Sequence, residues 1–191
     1  MMLKNSKNCA SAKSRLWDKM KNKNNFFLIC FLMIIFIIGC NQNPNMKLTS
    51  SAFNDHGPIP TEFTCDGANI NPPLSTSNVP ENAKSLALIM DDPDAVVGVF
   101  VHWVMWNIAP ETREITKGNE PDGIKGKGSS NKLNYVGPCP PTGTHRYFFK
   151  LYALDTKLNL PEGSAKIELE NAMNSHVIEQ TSLMGTYKRN K

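Results

Sequence analysis

The chain holds few of the motifs that enzymes commonly need. Among 191 residues it has five cysteines and four histidines. None falls in a C-x-x-C or H-E-x-x-H pattern, which argues against structural zinc, thioredoxin-type redox chemistry and a zinc protease centre. No G-x-S-x-G elbow is present, and "GIKGKGS" (Gly123–Ser129) lacks the Gly-Lys-Ser/Thr order of a phosphate loop. With no activated nucleophile in view, no catalytic residue is assigned and a binding protein is expected rather than an enzyme. Long apolar runs are scarce too: the longest, "NFFLICFLMIIFIIG" (Asn25–Gly39), falls short of the about 20 residues that a spanning helix needs. An excess of basic charge is also missing from most of the chain. Residues 1–40 hold seven of the 21 basic residues and one of the 17 acidic ones, which leaves 14 basic against 16 acidic. That balance gives no reason to expect a nucleic-acid partner.

The first forty residues read as targeting. A basic segment with Lys19, Lys21 and Lys23 precedes the apolar run, and "IIGC" closes it, the order of a secretory signal. A cysteine directly after the small residue is similar to the lipobox of bacterial lipoproteins, with Ile37 where leucine is usual. On this reading residues 1–39 are a lipoprotein signal peptide, Cys40 is lipidated, and residues 40–46 form a tether. The expected location is the cell envelope, on the periplasmic or extracellular face of a membrane. A plain transmembrane anchor is the alternative. Met20 would start a signal of ordinary length, so it is a candidate true start.

About 150 residues remain, enough for one domain with a sizeable core. Residues 47–80 are rich in Pro, Asn, Ser and Gly and suit short strands and turns. "KSLALIM" (Lys84–Met90), "VFVHWVMWNI" (Val99–Ile108) and "HRYFFKLYALD" (His145–Asp155) predict buried strands of one sheet. Residues 111–134 read as a long polar surface excursion. Leu169, Met173, Val177 and Ile178 recur at helical spacing and predict one amphipathic helix over about 165–181. Strands without βαβ alternation make a mostly β fold.

Candidate chemistry gathers in three places. "DDPDA" (Asp91–Ala95) follows a buried strand and sets Asp92 and Asp94 on a turn stiffened by Pro93. His102 lies within a strand whose alternation would put it on one face with Phe100, Val104 and Trp106. "GPCPPTGTHRY" (Gly137–Tyr147) is a stiff loop running into His145 and Tyr147, which share a face while Arg146 points away. Imidazole and loop N–H donors converging on one point suit a phosphate or carboxylate, and the aspartates would orient a histidine or meet a cationic head group. No metal is expected, because no ligand spacing supports one. Of the cysteines, Cys65 and Cys139 alone belong to the exported domain; they either form a bridge, as the oxidising compartment favours, or stand as two separate thiols.

Three ordered blocks, "SLALIMDDPDA", "FVHWVMWNI" and "YVGPCPPTGTHRYFFKLYAL", resemble the phosphatidylethanolamine-binding protein family, also called Raf kinase inhibitor proteins, in its bacterial YbhB/YbcL-type branch. "FTCDGANINPPLS" and "GTYKR" extend the likeness from about Lys47 to Arg189. Thr76 departs from it, standing where the bacterial pattern after "PPLS" has tryptophan. The resemblance implies a β-sandwich of antiparallel sheets with one or two peripheral helices. It also implies a small preformed pocket for phosphate-like anions or phospholipid head groups, built from Asp92, Asp94, His102, Gly137, Pro138, His145 and Tyr147, with no cofactor. Eukaryotic relatives inhibit kinases and serine carboxypeptidases. An inhibitor of an envelope protease or other partner protein is therefore the second expectation, and an enzyme acting on phosphorylated substrates the third.

Overall fold

Residue by residue, strand β3 (Ser85–Asp92) is buried along its whole length. Such a strand belongs at the centre of a sheet covered on both faces, and it does so here in the computed structural model, which describes residues 45–189. The expected signal peptide, the candidate start at Met20, Cys40 and most of the expected tether lie outside the described residues.

The other strands are β1 (Lys47–Thr49), β2 (Leu74–Ser77), β4 (Phe100–Ile108), β5 (Glu114–Ile115), β6 (Ile124–Lys125), β7 (Thr144–Leu154) and β8 (Val177–Lys188), with one helix α1 (Lys166–Met173). They form a three-stranded sheet in the order β1-β2-β5 and a five-stranded sheet in the order β6-β4-β3-β7-β8. Every pairing between these strands is antiparallel. The expected mostly β architecture of two antiparallel sheets with a peripheral helix is what the chain adopts.

Alternation along β3 feeds two cores. Leu86, Leu88 and Met90 pack with Leu48, Leu74 and Ile115 of the small sheet and with Trp103, Met105, Phe149 and Leu151. Ala87 and Ile89 turn to the other side, where Val104 and Trp106 meet Leu169 and Met173 of α1. Each large aliphatic side chain so buried contributes about 1.5–3 kcal/mol. This double burial is why the strand reads as a continuous apolar run.

Three expectations need correction. The helix does not run over 165–181. It stops at Met173, Asn174 caps it, and Ser175 takes a left-handed φ of 72° before β8 begins. Val177 and Ile178 continue the helical spacing by accident, and their β-branched side chains suit the strand they join. The stretch 111–134 is no free excursion. Ile115 and Gly126 are buried, β5 and β6 pair with the two sheets, and Glu120 Oε1 accepts a hydrogen bond from the Tyr135 N–H at 2.5 Å.

The third correction bears on function. Asp91 pairs with Val101 but Met90 pairs with Trp103, so His102 is the extra residue of a bulge. A bulge re-aims its side chains. Val104 and Trp106 therefore stay on the helix side with Val101, whereas His102 turns inward, its ring 5.3 Å from that of Tyr147. His102 does not share a face with Val104 and Trp106.

Candidate functional site

Strand β3 ends at Asp92 and β7 starts at Thr144, and their antiparallel register brings the two ends together. His145 Nδ1 lies 2.7 Å from Asp92 Oδ2, with both side chains buried. The carboxylate accepts, so the proton sits on Nδ1 and Nε2 is the uncommitted nitrogen; it has no hydrogen-bond partner among the described residues. The other oxygen, Asp92 Oδ1, accepts from the Asp94 N–H at 2.8 Å, which closes the Asp-Pro-Asp turn.

His102 faces this pair from β4. Its Nδ1 donates to the Val136 carbonyl at 2.7 Å. Burial holds its pKa below the ordinary histidine value, offset in part by the Val136 and Gly137 backbone and by Asp92 and Asp91. The ring is accordingly neutral, with its lone pair on Nε2. Tyr147 lies between the two histidines, edge-on to His102 and stacked 6.5 Å from His145. Its hydroxyl is buried and makes no hydrogen bond among the described residues. Burial first, then the Asp92 charge, pushes its pKa above the ordinary tyrosine value; Asp92 and the Cys139 backbone are its polar neighbours.

Residues 135–140 form the third wall. The Val136 N–H donates to His102 O at 3.1 Å, and the Tyr135 hydroxyl to Phe63 O at 2.8 Å. The Gly137 N–H donates to Asn69 Oδ1 at 2.7 Å, and the Cys65 N–H to Pro138 O at 3.1 Å. A Cβ on Gly137 would stand 2.4 Å from Phe63 O, so only glycine lets the two backbones approach. Cys65 and Cys139 are disulfide-bonded, which closes the open alternative in favour of the bridge. In the chain-entropy account a loop of this length, 74 residues, stabilises by about 4 kcal/mol.

Of the seven residues expected in the site, six converge: Asp92, His102, Gly137, Pro138, His145 and Tyr147. Asp94 stands at the margin. Both its oxygens are taken by Arg146, Oδ1 by Nη2 at 2.6 Å and Oδ2 by Nε at 2.8 Å. The side-chain bonds to that guanidinium lower the Asp94 pKa to about 2. Sequence reasoning missed Asn69, which holds the loop amide; its left-handed φ of 55° fits the turn chemistry of Asn in "DGANI", the one available signal.

Two open clefts, of about 300 and 350 Å³, lie around α1 and include none of Asp92, His102, His145 or Tyr147. The first is lined by Val99, Ile167 and Lys166 among others, the second by Tyr152 and Met173. Neither is lined by an unsatisfied buried polar side chain, whereas the histidine cluster holds the Tyr147 hydroxyl.

Across residues 49–188 the chain matches the family model described as phosphatidylethanolamine-binding protein. The chain belongs to the phosphatidylethanolamine-binding protein family. A UPF0098 protein of Methanothermobacter thermautotrophicus is 51% identical over 150 residues, 75% of this chain and 99% of that one. A second, from Pyrococcus horikoshii, is 42% identical over 85% of this chain and 88% of its own length. Among solved structures, a phosphatidylethanolamine-binding protein homologue from Chlamydia trachomatis superposes with a TM-score of 0.75 at 41% identity, covering 76% of this chain and 99% of that one. Escherichia coli YbcL, a family member by its own description, gives 0.72 at 26% identity over 77% of this chain and all of its own. In this family member, then, Asp92, His102, His145, Tyr147 and the 136–140 loop gather at one end of the central sheet.

Proposed function

We propose that this phosphatidylethanolamine-binding protein family member is a binding protein, not an enzyme, and that the Asp92, His102, His145 and Tyr147 cluster takes a phosphate-like anion or phospholipid head group. One observation carries the reading: a buried Tyr147 hydroxyl without a hydrogen bond, set between two imidazoles that each spend Nδ1 elsewhere. An unmet buried hydroxyl costs about 1–3 kcal/mol, and a ligand oxygen would satisfy it. The acidic turn does not oppose this. Asp94 is held by Arg146, and Asp92 by His145 and the Asp94 amide, so both carboxylates are engaged within the protein.

The cysteines of the domain are bonded to each other, so they offer no thiolate nucleophile. Outside the domain, the "IIGC" sequence supports a lipid on Cys40 and a place on the outer face of a cell-envelope membrane. Thermal shift and native mass spectrometry on residues 41–191 test the site, with phosphate and phosphorylethanolamine as probes and His145→Ala alongside. The segment contains all of residues 49–188, which the family model matches. Stabilisation by either probe, absent in the variant, is expected. Val96 and Val97, 82% and 90% exposed, support a second reading as an inhibitor or regulator of an envelope protease or other partner protein. Binding of neither probe would favour it.

A further inference from the structure

One peptide group beside the histidine cluster is held at both ends. The Val136 carbonyl accepts from His102 Nδ1 at 2.7 Å, and the next amide, on Gly137, donates to Asn69 Oδ1 at 2.7 Å. No peptide bond among the described residues is cis. The carbonyl and the N–H of the 136–137 unit therefore point in opposite directions from one rigid plane. Whatever fixes the N–H also aims the carbonyl at the imidazole.

The bonds on either side do not set that plane. The Val136 N–H donates to His102 O at 3.1 Å, but it belongs to the preceding peptide unit. Pro138 O accepts from the Cys65 N–H at 3.1 Å, and it belongs to a later one. Glycine at 137 permits either orientation, because no Cβ restricts its φ. Turned over, the unit would show His102 an N–H instead of a C=O. Nδ1 would then have to accept, and the proton of the neutral ring would move to Nε2. In the observed orientation the carbonyl keeps Nδ1 protonated. Nε2, which makes no hydrogen bond among the described residues, is left as the nitrogen that takes up a proton.

Asn69 is suited to this hold. Its φ of 55° is one that asparagine tolerates, and its own N–H donates to Glu62 O at 3.1 Å, which aims the side chain from a closed turn. We propose that Asn69 is a positioning residue of the site: by holding the Gly137 amide it fixes the 136–137 peptide, and through that peptide the tautomer that His102 offers a ligand. The proposal rests on the reading of the cluster as an anion site. An anion is held best by an imidazolium that donates one N–H to the Val136 carbonyl and the other to the ligand. A turned peptide would set N–H against N–H and disfavour that cation. Without the Asn69 side chain, each orientation keeps one bond to a neutral ring. The turned one leaves a carbonyl rather than an N–H unpaired, which proteins tolerate better, so the selection is lost.

The test compares the full chain with two variants. Asn69→Gly keeps the left-handed backbone accessible and removes the acceptor, and Asn69→Asp keeps an acceptor oxygen. Nitrogen-15 magnetic resonance of the imidazoles at about pH 8, where the ring is neutral, reads which His102 nitrogen carries the proton. Isothermal titration with inorganic phosphate and with phosphorylethanolamine reads affinity, and thermal unfolding reads the fold. The unaltered chain and Asn69→Asp should show Nδ1–H, and Asn69→Gly a shift toward Nε2–H with about a tenfold loss of affinity. A merely structural role would lower the unfolding temperature of Asn69→Gly and leave its tautomer alone, and that result overturns the proposal. Nε2–H in the unaltered chain overturns it as well, with no variant needed. A changed tautomer with unchanged affinity overturns the role in binding. If the unaltered chain binds neither probe, the anion reading fails and the role in binding with it; the tautomer comparison needs no ligand and still supports or overturns the hold on His102.

Discussion

Asp91 and Asp92 are neighbours on one strand and almost equally buried, yet they do opposite jobs. Asp91 points to the helix side, where its Oδ2 takes Lys150 Nζ at 2.8 Å and Lys166 Nζ at 2.5 Å. Asp92 points between the sheets and holds one histidine, whose second nitrogen is left open. The first is a lock in which one carboxylate oxygen joins two ammonium groups, tying β3 to β7 and α1. The second orients a group toward something absent from the chain. Burial and charge alone do not separate these roles; what does is the partner, two ammonium groups in one case and a histidine with an open ring nitrogen in the other.

The largest effect that would sharpen the contrast is on stability. Asp91→Asn leaves two ammonium groups without their carboxylate and should cost about 2–4 kcal/mol, moderated because both lysines keep some contact with water. Chemical denaturation should show that loss, with phosphate affinity unchanged in the folded fraction. Asp92→Asn should cost less, about 1–2 kcal/mol for one charge-assisted bond, yet lower phosphate affinity at least tenfold. Equal effects of the two changes on affinity would break the comparison.

A smaller, pH-dependent effect should come from His102. Its folded pKa lies below the unfolded value of about 6.5, so below that pH the unfolded chain binds more protons. Stability should therefore decline as pH falls through about 6.5 toward the folded pKa. Replacing His102 with glutamine should flatten that leg of a denaturation series. Anion binding should run the other way, strengthening as pH falls, because a bound negative charge favours the protonated His102 ring. The smallest effect is expected from Arg146→Ala. Asp94 titrates at about 2 and contributes its stability above the ordinary carboxylate pKa of 3.8, losing it as pH falls through about 2. Without Arg146 the folded pKa returns toward 3.8 and this contribution disappears, so the fall in stability between about 3.8 and 2 should flatten in an acid titration, while binding at neutral pH stays unchanged.

How much of this could be read in advance followed from local physics. Strand β3 announced itself because a central strand covered on both faces is apolar almost throughout, β4 by its run of Val and Trp, and β7 by the alternation of buried aromatic and aliphatic residues with more exposed ones. Strand β8 did not. It is an edge strand with buried residues only at Leu183, Met184 and Gly185, so its pattern is weak, and the residues at its start happened to extend a helical spacing. The site residues were legible as types and blocks, since Asp92, His145 and Tyr147 sit where strands end and begin. His102 was placed on the wrong face, because a bulge is set by the pairing of two distant segments and leaves no mark in one strand's alternation. Asn69 escaped for a similar reason: its hydrogen bond to Gly137 spans 68 residues.

The most direct test of the central claim uses the chain's own histidines as reporters. His102 and His145 lie in the cluster, whereas His56 and His176 are paired on the surface with Asp55 and Asp155. Imidazole nuclear magnetic resonance signals of the domain should be followed during titration with phosphate at constant pH and ionic strength. The account predicts saturable shifts of the His102 and His145 signals, with His56 and His176 unmoved. Unchanged signals from all four, or equal drift in all four, would contradict it.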